Sequence, residues 1–220
     1  MTIDQAVLRP QGFGRRNAKS IRDPLIEPLW RGERIMVRLV GDRAELFDAD
    51  GDAVEDPPAE IVEALVAAAQ ADELVVDGYL TRQAIPDNPG MLLVGSELPT
   101  VGQMASQIFV GRGLRARPMV PIEKTPEPEG TLAFMAIDLL SLEGEILLDI
   151  PLLERKRLLE SVLAEGELVR RTAYVRAPID AWLASWRSIG FRELAYKGAN
   201  GRYRPGGVGE DWAIALIPTT

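Results

Sequence analysis

Few side-chain types in this sequence could do chemistry. There is no cysteine and no histidine, which excludes disulfides, thiolate metal sites and imidazole general bases. Four lysines supply the amines, Lys19, Lys124, Lys156 and Lys197. Such an amine attacks an activated phosphate or carbonyl only when it is deprotonated and held beside its target. Lys19 falls in a terminal segment, Lys124 in a charged loop and Lys156 on what reads as a solvated helix face. Arg112, Arg115 and Arg117 form a small basic cluster, best read as part of a solvated loop. The net charge is −8, whereas a protein that grips a phosphate backbone normally carries a basic footprint. Weak or no direct nucleic-acid binding is therefore expected.

The elements that must position these groups alternate between strand and helix signals with no internal repeat. Arg34 to Leu39 and Ala44 to Ala49 read as a hairpin about Gly41-Asp42, with the next turn at Asp50-Gly51. Pro57-Pro58 opens a helix in which Ile61, Leu65 and Ala68 recur at helical spacing. Glu73 to Thr81 reads as a strand. From there to Gly130 the chain is rich in proline and glycine, with one apolar segment at Val101 to Val110 and a mobile-loop composition in EKTPEPEG at 123–130. Thr131 to Leu140 has the length and apolarity of a buried strand, and Pro151 starts the helix PLLERKRLLESVLAE. A weaker strand at Glu167 to Val175, a helix at Pro178 to Ile189 and strands at Phe191 to Lys197 and Asp211 to Ile217 follow, the last two joined by the glycine-rich GANGRYRPGGVGE. The pattern is that of an α+β domain, long enough to bury roughly 70% of its unfolded surface. No apolar stretch reaches signal-peptide or membrane-span length, so a cytoplasmic location and no membrane partner are expected.

Several stretches, in the colinear order of five motifs, resemble the nucleotidyltransferase motifs of bacterial ATP-dependent DNA ligase adenylation domains. Glu27-Pro28-Leu29-Trp30-Arg31-Gly32-Glu33-Arg34 resembles the motif Glu-Pro-Lys-aromatic-Asp-Gly-aromatic-Arg. Val76-Asp77-Gly78-Tyr79 resembles the Asp-Gly-Glu motif. Asp138-Leu139-Leu140, followed by Glu143-Gly144 and PLLERKRLLE, is similar to the segment around the central aspartate. Tyr203-Arg204-Pro205-Gly206 followed by Asp211-Trp212 resembles the Tyr-Arg-x-Gly element that such ligases carry between their fourth and fifth motifs, with Arg192 aligned to the start of the fourth. The likeness spans residues 20 to 217, and its colinear order is more specific than any single motif. It implies an ATP-grasp-like DNA ligase nucleotidyltransferase fold: two antiparallel-rich sheets with flanking helices, enclosing a cleft. Residues 1–19 then read as an N-terminal extension and 20–220 as the adenylation-like domain, with no OB-fold domain after it.

The resemblance also implies which chemistry is gone. In the family a lysine attacks the α-phosphate of ATP, and its place here is taken by Leu29, which has no nucleophilic atom. The aspartate two residues on is Arg31, the glutamate after Asp77-Gly78 is Tyr79, and the glutamate that opens the fourth motif is Arg192. The adenine-stacking position is Ile137, and the two closing lysines are Ile214 and Leu216. Magnesium loses its oxygen ligands and the triphosphate its cations, so neither ATP nor a metal is expected as a cofactor. The surviving types, Arg34, Asp77, Asp138 and Lys197, are residual pocket candidates; Arg34 or Asp138 could equally form buried ion pairs and Lys197 a strand-end salt bridge. Of the lysines, Lys197 alone could face the pocket. Gly32 and Gly78 read as backbone devices. Leu29, Ile137, Ile214 and Leu216 are expected to fill the cleft, with Glu33 and Glu193 neutralising Arg31 and Arg192. The function implied is a non-catalytic ligase-like pseudoenzyme, a scaffold or regulatory partner in DNA repair with a protein partner of unknown identity. The alternatives are a nucleotide- or anion-binding module without chemistry and an active ligase.

Overall fold

The computed structural model describes residues 5–83 and 130–218. The expected apolar segment at Val101 to Val110, the loop at 123–129 and the cluster of Arg112, Arg115 and Arg117 lie outside the described residues.

In chain order the strands before the first helix are β1 (Gly12–Phe13), β2 (Pro24–Pro28), β3 (Glu33–Val40) and β4 (Arg43–Phe47). Helix α1 (Ala59–Ala68), β5 (Glu73–Thr81), β6 (Ala133–Leu142) and β7 (Glu145–Ile146) follow. Helix α2 (Leu152–Val162), β8 (Val169–Arg171), α3 (Asp180–Ser188), β9 (Glu193–Gly198), β10 (Val208–Gly209) and β11 (Trp212–Leu216) complete the fold. The large sheet runs β4-β3-β5-β6-β7, with β8 parallel to the first half of β6. The small sheet runs β11-β9-β2, antiparallel throughout, and β1 pairs with β10 in a short parallel ribbon. The expected strand at Glu167 to Val175 is divided: Val169–Arg171 pairs with Phe134 to Ala136 of β6, and Val175 makes an isolated bridge to Ile26 of β2.

Side-chain alternation assigns the two faces of the large sheet. Ile35, Val37 and Leu39 on β3, Leu74, Val76 and Leu80 on β5 and Phe134 and Ala136 on β6 form one core with Ile61 and Leu65 of α1 and Leu159 and Val162 of α2. Met36, Val75 and Leu140 point the other way and pack with Trp212 and Tyr203, below the small sheet. Residues 133–140 are buried on both faces, which is why they read as one apolar run rather than an alternating one. The small sheet is covered on its outer face by Trp186, Trp30 and Phe191, packed on Ile26 and Leu194. In the segment expected to be an N-terminal extension, Val7 and Leu8 are buried in the same cluster as Trp212.

Two glycines set the approach of backbones. Gly32 has φ +144°, and a Cβ there would overlap the Leu80 carbonyl oxygen. A Cβ on Gly78 would overlap the Phe134 ring and the Met135 carbonyl. Both serve the backbone, as their loops imply. Gly78→Ala is expected to lower the unfolding free energy by about 1–3 kcal/mol through overpacking, read as a lower urea midpoint at unchanged slope. Gly166→Ala, where an added Cβ meets nothing, should leave the midpoint in place.

Candidate functional site

The cleft lies between the inner faces of the two sheets, and its floor is made of charge. Asp77 on β5 and Asp138 on β6 are cross-strand partners, with Ile137 bulged out of register beside them. Both carboxylates are fully buried. Like charges placed opposite one another across two strands repel, so each needs its own cation. Arg34, two residues past the tight Gly32 turn, grips Asp77 through Nε at 2.5 Å and Nη2 at 2.6 Å. Arg155, on the first turns of α2, grips Asp138 through Nε and Nη2, both at 2.8 Å. The middle of β6, between the stretches paired with β8 and β7, is where Arg155 reaches in.

Polar neighbours complete the floor. Tyr203 donates its hydroxyl to Asp77 at 2.7 Å and accepts the Gln11 amide at 2.8 Å, while Arg34 donates to the Tyr79 hydroxyl at 2.7 Å. Burial alone disfavours a charged Arg34, but the Asp77 carboxylate outweighs it and holds the guanidinium protonated above its ordinary range. Burial, reinforced by Asp77, pushes the Tyr203 phenol well up, so it stays a donor. Asp77 is therefore saturated.

The cleft wall belongs to the small sheet. Glu27 on β2 is shared by two lysines, Lys197 on β9 at 2.7 Å and Lys156 on α2 at 2.6 Å. The first is an aligned hydrogen bond; the second is a charge contact without hydrogen-bond alignment. All three are buried, and the Lys197 Nζ stands 4.3 Å from the centre of the Trp212 ring. Burial lowers the Lys197 pKa to about 8, with Lys156 and Arg34 adding to the effect against the pull of Glu27. Next to these groups is a cavity of about 10 Å³, lined by Glu27, Leu29, Tyr79, Ile137, Ala195 and Lys197 with Phe13, Pro28 and Trp30. That is room for about one water molecule.

Arg34, Asp77, Asp138 and Lys197 are thus brought into one cleft, each in an internal ion pair. Leu29 and Ile137 line the cavity. Three expectations are corrected. Ile214 and Leu216 do not fill the cleft: they are 40% and 74% exposed, because β11 is an edge strand and none of the described elements packs over that end of its inner face. Arg192 takes backbone carbonyls of Arg187 and Phe191 rather than Glu33 or Glu193, since it leaves β9 on the face opposite Glu193. Arg31 donates to the Gly190 carbonyl. Lys156 is buried rather than solvated, because α2 turns it toward Glu27. Arg155, Lys156 and Glu27 carry as much of the site as the residues named from the motifs. Their signal was present: Arg155 lies three residues after Leu152 and four before Leu159, the buried stripe of α2. Among the described residues no group of three carboxylates converges as a metal site requires, and no helix is long and apolar enough to cross a membrane.

No family model matches the chain. It is 25% identical over 217 residues to a DNA ligase of Thermococcus onnurineus, covering 92% of this chain and 35% of that protein. It is 28% identical over 187 residues to a DNA ligase of Natronomonas pharaonis, covering 85% and 31%. The chain therefore spans about a third of the length of the curated relatives it matches. Among solved structures it is similar to the ligase domain of M. tuberculosis LigD, with a TM-score of 0.64 at 21% identity over 97% of this chain and 61% of that one. A Chlorella virus DNA ligase–adenylate gives a TM-score of 0.51 at 10% identity, over 96% and 67%.

Two measurements check the ionic floor and wall. Arg155→Leu leaves the Asp138 carboxylate buried without its cation and should cost about 3–5 kcal/mol in urea unfolding. Combining it with Asp138→Leu should recover part of that loss, and equal costs would contradict the pairing. For Lys197, the folded pKa is about 8 and the unfolded one about 10.4. Between these values the unfolded chain binds the extra proton, so stability rises with pH through that window, by at most about 1.4 kcal/mol per unit. Lys197→Met, which leaves Glu27 paired with Lys156, should flatten the rise.

Proposed function

Because this chain belongs by sequence and fold to the family of ATP-dependent DNA ligase adenylation domains, we propose that it is a non-catalytic member acting as a scaffold or regulatory partner, in the setting of DNA repair. The observation that carries this reading is the pairing of Leu29 with the cavity it lines. Where the family places an amine, a hydrocarbon borders a space of about 10 Å³, far below the several hundred cubic ångströms of a typical ligand pocket. The residues around it do not fit ATP and magnesium. Asp77 and Asp138 are each held by an arginine, Tyr79 has no carboxylate to offer, and Ile214 and Leu216 bring no charge to a phosphate.

Lys197 supports the two competing readings, and the same geometry weighs against both. It is the one lysine lining the cavity, and its lowered pKa gives an amine a nucleophile needs. It also shares Glu27 with Lys156, so the trio carries a net positive charge that favours a small anion. Yet its Nζ is buried between Glu27 and Trp212, and an anion would have to displace Glu27 and strand a buried carboxylate. Net charge −8 favours a protein partner over direct nucleic-acid binding, and a cytoplasmic location accompanies this reading.

Incubation with radiolabelled ATP and magnesium or manganese should leave no label on the denatured protein. Leu29→Lys alone should behave the same, since Arg31, Tyr79, Arg192, Ile214 and Leu216 are unchanged. Label surviving denaturation of the natural sequence overturns the reading. Label on Leu29→Lys alone would show that the rest of the pocket is competent.

A further inference from the structure

The inner face of the small sheet changes character along its strands. Its innermost row is Leu25, Lys197 and Trp212, all buried; the next is Glu27, Ala195 and Ile214; the last is Leu29, Glu193 and Leu216. The bond from the Leu29 amide to the Glu193 carbonyl continues the ladder into that last row. Charge is therefore enclosed at one end, and at the other an aliphatic platform of Ile214 and Leu216 meets solvent beside the half-buried Leu29, with Leu216 74% exposed. The platform lies along an edge strand. The outward carbonyl of Trp212 accepts the Gly14 amide, so Ile214 and Leu216, of the same parity, also turn their backbone groups outward, and those make no further backbone bond among the described residues. The strand WAIAL has no lysine or proline to blunt that edge.

We propose that this edge and platform dock an extended segment of a partner protein that carries aliphatic side chains on one face and basic ones beside them. The inference rests on the reading that the chain works through a protein partner. Strand addition to β11 supplies main-chain hydrogen bonds and the platform supplies apolar burial. Charge selects the occupant. Glu193 stands exposed in the middle of the outer row, and Glu210 and Asp211 are exposed at the start of β11. None of the three has an ion-pair partner among the described residues. Among the described residues, Lys197 on this face is committed to Glu27 and Arg34 to Asp77, and Arg192 leaves on the opposite face. A second copy would set Glu193 against Glu193 and −8 against −8, and a phosphate backbone would meet the exposed carboxylates of Glu193, Glu210 and Asp211.

The test uses fluorescence anisotropy with synthetic ten-residue peptides of alternating Leu and Lys, Leu and Glu, or Ser and Lys. The chain should bind the Leu/Lys peptide. Ile214→Ser with Leu216→Ser, which leaves the charge unchanged, should weaken that binding about tenfold or more. Glu193→Lys should shift the preference toward the Leu/Glu peptide. The proposal is overturned if the Leu/Lys peptide does not bind, or binds the serine variant and the Ser/Lys peptide binds the chain equally well, which is attraction to net charge alone. It is also overturned if the serine variant melts several degrees lower, meaning the chain's own residues cover the platform, or if sedimentation shows a dimer that the variant dissolves. Adenylate formation would sink the non-catalytic reading while leaving these binding results standing.

Discussion

Two buried aspartates face each other across β5 and β6, and the rest of the cleft follows from that. Carboxylates buried as cross-strand neighbours repel each other, so Asp77 and Asp138 each need their own cation. Arg34 must therefore come over the Gly32 turn to one, and α2 must lean its first turns into the gap in the β6 edge to bring Arg155 to the other. Once α2 is placed, Lys156 follows Arg155 into the interior and meets Glu27, which ties the helix to the small sheet. Helix α2 thus bridges the two sheets, ion-paired through Arg155 to Asp138 of the large one and through Lys156 to Glu27 of the small one. Such pairs add less net stability than their number implies, but breaking one leaves an uncompensated charge. They fix how the layers meet.

The same clamp determines what the cleft can do. A nucleotide site needs carboxylates open to a metal, cations open to phosphates and space for a base. Here the carboxylates and cations neutralise one another at 2.5–2.8 Å, and the remaining space is water-sized. Beyond the clamp, the outer rows of the small sheet have aliphatic side chains and open backbone. In the proposed reading the interior is structural, and the exposed apolar surface lies at the cleft mouth.

Most of the fold was legible in the sequence. Helical spacing of Ile61, Leu65 and Ala68, the Gly41-Asp42 turn and the run at 133–140 each placed an element within a few residues. The motif resemblance located Arg34, Asp77, Asp138 and Lys197 in one cleft. What it did not convey was pairing, because an ion pair between residues 27 and 197 or 138 and 155 has no local signature. Lys156 was taken for a surface residue from its charge, although its neighbours Leu152 and Leu159 mark that face as buried. Ile214 and Leu216 were taken for cavity fillers from their hydrophobicity, which does not reveal whether anything packs over an edge strand. Sequence conveyed which residues share a layer, and geometry was needed to show which of them have a free face.

The central claim is that internal ion pairs have closed the nucleotide site. Titration calorimetry with millimolar ATP and magnesium, paired with a melting curve in the same buffer, tests it most directly. The account requires no saturable heat and an unmoved transition. Saturable binding, or stabilisation by several degrees, would mean that Glu27 and Arg34 yield their partners to a ligand, and would contradict it.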